Sequence, residues 1–122
     1  MNQPPDRKSL ASADYSAVKA EIHAILIDVA RARQTITYSE LCLHVTTASL
    51  HYHSHIFHRL LREVCADAWE QGDGKLCALV VTKQTGMPGG GYFDGTSPAE
   101  SPDLEAAWRA DLESVFELWS ST

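Results

Sequence analysis

The chain has 122 residues, of which 44% are hydrophobic and 21% charged, the size and composition of one globular domain. No apolar run approaches the roughly 18–20 residues that a membrane span needs, and the polar start, residues 1–13, lacks the apolar stretch of a signal peptide and reads as a disordered lead-in. The net charge of −6 is uneven: residues 1–93 carry nine basic and nine acidic residues, whereas residues 94–122 carry seven acidic residues and only Arg109.

The first predicted element is a helix from Asp14 to Arg33. Val18, Ile22, Ile25, Leu26 and Val29 fall at helical spacing, with Lys19, Glu21, Asp28 and Arg31 off that stripe. Ser12 or Asp14 is placed to cap its start, and Arg31 and Arg33 suit its negative end. The β-branched and aromatic run Thr35-Ile36-Thr37-Tyr38 should leave the helix. A short second helix follows from Ser39 to about Val45, then a break over Thr46 to Ser49. A third helix runs from about Ser54 to Trp69 on the stripe Ile56, Phe57, Leu60, Leu61, Val64, Cys65 and Ala68. Gln71-Gly72-Asp73-Gly74 stops it.

Leu76 to Thr82 has the length and β-branching of a buried strand. The glycine-rich loop 84–91 and a return strand starting at Tyr92-Phe93 complete an expected β-hairpin, with positive-φ positions at Gly86 and at one of Gly89, Gly90 or Gly91. Ser101-Pro102-Asp103 is a helix start, and Leu104, Ala107, Trp108, Leu112, Val115, Phe116 and Trp119 form the apolar stripe of a C-terminal helix. Three N-terminal helices, a hairpin wing and an amphipathic C-terminal helix make an α+β, winged-helix-like domain over residues 14–122.

The cysteines, Cys42, Cys65 and Cys77, are odd in number, include no CxxC pair and sit among apolar neighbours. They read as reduced thiols of a cytoplasmic protein.

Two resemblances follow from these segments. Thr37-Tyr38-Ser39-Glu40-Leu41-Cys42, Leu76-Cys77-Ala78-Leu79-Val80-Val81 and Gly90-Gly91-Tyr92 resemble, in order and layout, the C-terminal domain of O6-alkylguanine-DNA alkyltransferases and alkyltransferase-like proteins. Leu76 to Tyr92 is also similar to an L-x-A-L-V-V-x-K-x-T-G-x-P-G-x-G-F/Y signature of small uncharacterised bacterial proteins, a family with no chemistry to carry over. The first resemblance implies a winged helix on DNA and sets Cys77 at the place of the alkyl-accepting cysteine. A reactive thiolate needs a base or a positive neighbour. The family's adjacent histidine and arginine are here Ala78 and Leu79, so Cys77 reads as a structural residue.

A non-enzymatic DNA-binding module is the reading that remains. Thr37, Tyr38 and Ser39 would approach a phosphate at a helix start, and Arg59, Arg62 and Lys83 would contact the backbone. The acidic total does not oppose this, because binding needs only a local basic face. The alternative is a protein-interaction module, or a homodimer, acting through the hairpin and the C-terminal helix. A third reading is a thiol- or metal-dependent enzyme. His51, His53, His55 and His58 could share ligand duties, the first three on one side of an extended segment and the last two at helical i, i+3 spacing. The expectation is nonetheless an exposed connector with no metal and no cofactor. The glycine loop precedes no helix and lacks a GK[ST] ending, so it is no phosphate cradle.

Overall fold

The computed structural model describes residues 12–51, 53–89 and 102–120. The described residues form four helices and one small parallel sheet in a mixed, helix-rich arrangement: α1 (Ser12–Arg31), β1 (Ile36–Thr37), α2 (Tyr38–His44), α3 (His55–Gln71), a 3-10 turn (Leu76–Leu79), β2 (Val80–Val81) and α4 (Pro102–Ser120). Helix α1 thus starts two residues inside the expected lead-in; residues 1–11 lie outside those described.

Helices α1 and α3 end in the same way. In α1 the Gln34 amide reaches back to the Val29 carbonyl and the Arg33 amide to Ala30, with Arg33 at φ 55°. In α3 the Asp73 amide bonds Ala68 and the Gly72 amide bonds Trp69, with Gly72 at φ 84°. This pairing satisfies carbonyls that a helix end leaves unpartnered and demands a left-handed residue, which costs glycine least. Arg33 accepts that conformation while its guanidinium bonds Glu113 of α4 at 3.0 Å and lies over the Phe116 ring.

The core is the α1, α3 and α4 stripes packed around the 3-10 turn. Val18, Ile22, Leu26, Phe57, Leu60, Leu76, Leu79 and Val115 are essentially without exposure. At roughly 1.5–3 kcal/mol for each large side chain buried, this layer is the main source of stability. The α4 stripe packs on its own chain: Trp108, Val115 and Phe116 are buried. The Trp108 indole donates to the Ala78 carbonyl at 2.9 Å, and the Trp119 indole to the Asp73 carbonyl at 2.9 Å. Much of the apolar face that the alternative reading offers to a partner or a second copy is therefore used internally.

Two sequence expectations are corrected here. Leu76 to Thr82 is not one continuous strand. Most of it is a 3-10 turn, and only Val80 and Val81 pair. Their partner is β1, in parallel, with Ile36 opposite Val80 and Thr37 opposite Val81, so the described strands form no hairpin wing. The expected return strand at Tyr92-Phe93 lies outside the described residues. A wholly apolar run carries no alternation, so it fits a buried parallel strand and a buried turn equally well.

The second correction concerns the thiols. Cys65 and Cys77 form a disulfide, with Cα atoms 5.7 Å apart; Cys42 is the free, buried one. The reversal at Gly72 and Gly74, both at positive φ, folds the chain back along α3 and brings a residue 12 positions later within bridging distance. Gly74 is held closely, since a Cβ there would lie 3.4 Å from both Val115 and Leu118.

Candidate functional site

An open groove of about 1160 Å³ runs between the start of α2, the outer face of α3, the loop after β2 and the first turns of α4. Thr37, Tyr38, Ser39, Arg62 and Lys83, five of the six residues singled out as nucleic-acid contacts, line it. The local architecture explains why they converge.

Thr37 belongs to β1 and also caps α2. Its hydroxyl accepts from the Glu40 amide at 3.1 Å, and the Glu40 carboxylate accepts from the Thr37 amide at 3.0 Å. This reciprocal capping box satisfies two otherwise orphaned donors. The bonds that its carboxylate accepts from the Thr37 amide and hydroxyl hold the Glu40 carboxyl below its ordinary range, with the His44 and Lys83 charges as lesser causes. The T-Y-S-E segment thus has a structural explanation that needs no ligand. The Tyr38 hydroxyl accepts from the Gly89 amide at 2.9 Å, tying α2 to the far end of the loop after β2.

That loop is tightly built. The Thr82 amide bonds the Met87 carbonyl and the Gly86 amide bonds the Thr82 carbonyl, with Gly86 at φ 69° as expected. The Thr85 hydroxyl accepts from the Met87 amide and donates to the Met87 carbonyl. The Lys-x-Thr-Gly part of the signature is thus the wiring of a turn that sets Lys83 and Gln84 at the groove.

Helix α3 presents Arg62, Cys65, Ala66 and Trp69 to the groove. Among the described residues neither Arg62 nor Lys83 forms an ion pair. Lys75 also lines the groove; its ammonium lies 3.4 Å from Asp111 and 5.8 Å from the Trp69 ring centroid. Two histidines, His53 and His58, join the wall, and the His58 ring lies 5.9 Å from that of Tyr38. Among the described residues that line it, Asp111 is the one acid beside Arg62, Lys75 and Lys83, on a chain of net charge −6.

Arg59 is placed elsewhere. Its guanidinium donates to the Tyr15 hydroxyl at 3.0 Å, lies over that ring and approaches Glu63, so it is engaged against α1. Sequence reasoning missed Trp69 and Lys75. Trp69 is 61% exposed although it is one of the largest apolar side chains. Its position off the α3 stripe was the signal available, since a tryptophan has little reason to sit on a solvated face.

The four clustered histidines do not form a ligand set: among the described residues no three His, Cys, Asp or Glu side chains converge to hold a metal. The His53 amide bonds the His51 ring at 3.1 Å, while His58 packs against Phe57 and Tyr38. Nor is there an activated thiol. Cys77 is in the disulfide, and Ala78 and Leu79 are fully buried where the alkyltransferase resemblance would need imidazole and guanidinium. Burial pushes the Cys42 thiol up to about 11, away from reactivity.

No helix among the described residues is long and apolar enough to cross a membrane. Comparison of the chain with protein-family models, with curated proteins and with solved structures finds no match.

Proposed function

We propose that the chain is a non-catalytic nucleic-acid-binding module that holds DNA in the groove between α2, α3 and the loop after β2. One observation carries this reading. Residues far apart in sequence, Tyr38, Arg62, Lys75 and Lys83, line one open surface where, among the described residues, the cations outnumber the acid and two of them form no ion pair. Cations on an open surface attract phosphate. The short helix, break and long helix of α2 and α3 support a winged-helix-type placement of α3 toward DNA, as the alkyltransferase layout implies. The parallel β1–β2 pairing means that such a module would use a compact loop, Thr82–Met87, where a wing would stand.

The protein-partner reading has less surface to work with, because Trp108, Val115 and Phe116 of the α4 stripe are buried. The test is fluorescence anisotropy of labelled oligonucleotides at low and physiological salt. Phosphate-driven affinity falls steeply with salt. The double variant Arg62→Ala, Lys83→Ala should weaken binding and flatten that dependence, while Arg59→Ala should leave both nearly unchanged. Absence of binding at low salt would reject the proposal.

A further inference from the structure

We infer that the strand held in this groove is single, with one unpaired base stacked on the exposed Trp69 indole; the inference rests on the nucleic-acid reading above. Trp69 is 61% exposed and lines the groove, with the Lys75 ammonium over its ring, 5.8 Å from the centroid. Arg62 precedes it on the same wall of α3, about 10 Å away along the helix axis. An exposed indole with one cation over its ring and another about 10 Å along the helix suits a ligand that alternates flat rings with phosphates, the chemistry of a nucleotide strand. A duplex keeps its base faces stacked on one another and shows a groove binder only their edges. A single strand offers a base face to an indole at no cost in pairing. An acidic peptide would satisfy Arg62 and Lys83 but leave the Trp69 face without a matching plane.

The experiment uses the full chain and a short labelled DNA strand, alone and as its duplex, with an unlabelled acidic peptide as competitor. The single strand should bind more tightly than the duplex. Trp69→Ala should weaken single-strand binding roughly 5- to 150-fold, the effect of losing one stacked base, and Trp69→Phe should restore most of it. Circular dichroism checks that each variant is folded, which the exposure of Trp69 favours. If the duplex binds at least as tightly and Trp69→Ala changes nothing while Arg62→Ala, Lys83→Ala still abolishes binding, this inference is overturned and the nucleic-acid reading stands. Displacement of the strand by the acidic peptide at matched charge, or Trp69-dependent binding of that peptide, would overturn it in favour of a protein ligand. No binding of either oligonucleotide would remove both.

Discussion

The Tyr38 hydroxyl accepts a hydrogen bond from the Gly89 amide at 2.9 Å, joining the first turn of α2 to a loop 51 residues later. This bond closes one wall of the groove and leaves Gly89 little room, since a Cβ there would lie 3.2 Å from the same hydroxyl. Tyr38→Phe keeps the ring and removes the acceptor. It should cost about 0.5–1.5 kcal/mol in denaturant unfolding and raise hydrogen exchange at the Gly89 amide. An unchanged exchange rate would show that the bond does not hold the loop.

Trp108 anchors α4 through its buried indole, which donates to the Ala78 carbonyl. Trp108→Phe leaves that carbonyl without its donor in an apolar setting and should destabilise by about 1–3 kcal/mol, plus the effect of the lost ring volume. Trp119→Phe removes the analogous bond to Asp73 at a partly buried position, where water can substitute, and should cost less. Thermal unfolding of the two variants side by side checks the order.

The disulfide makes a counting prediction. Protein unfolded without reductant should expose one reactive thiol, Cys42, and reductant should raise the count to three. Cys77→Ser should lower stability by about 3 kcal/mol, the chain-entropy estimate for a loop of this length. Mass spectrometry after alkylation reads the first result and denaturant unfolding the second. Three thiols before reduction would refute the bridge.

Glu21 of α1 ties down the segment after α2. Its carboxylate accepts from the Thr46 hydroxyl at 2.6 Å and from the Thr46 and Thr47 amides at 2.7 and 3.1 Å. These bonds, the Thr46 hydroxyl's first, lower its pKa from 4.5 to about 2. A depressed folded-state value means that the contribution is fully present above about 4.5 and is lost as pH falls toward 2. Amide exchange at Thr46 and Thr47 should therefore quicken across that window, after correction for its intrinsic pH dependence. In Glu21→Gln it should be fast at both ends.

The three long helices were legible because their signal is local. The α3 stripe from Ile56 to Ala68 and the glycine stop at Gly72 are both readable within one window of sequence, and the structure has them. The 3-10 turn at Leu76–Leu79 was not legible, because its apolar run has no period and the donor to its Ala78 carbonyl, Trp108, comes 30 residues later. The β1–β2 pairing and the Cys65–Cys77 bridge depend on where α3 returns the chain, which no motif spacing states. At the groove, Thr37, Tyr38 and Ser39 were legible as a helix start, and Arg62 and Lys83, like Arg59, as exposed cations. Arg59 is chemically the same kind of residue as Arg62. The Tyr15 hydroxyl and the Glu63 carboxylate, which engage Arg59, separate their roles.

The most direct test of the groove as a nucleic-acid surface is an NMR titration of the isotope-labelled chain with a short DNA strand. The largest shifts should fall on Ser39, Arg62, Ala66, Lys83 and the Trp69 indole, with Arg59 and the outer face of α4 silent. Shifts spread over the outer face of α4, or none at saturating DNA, would contradict the proposal.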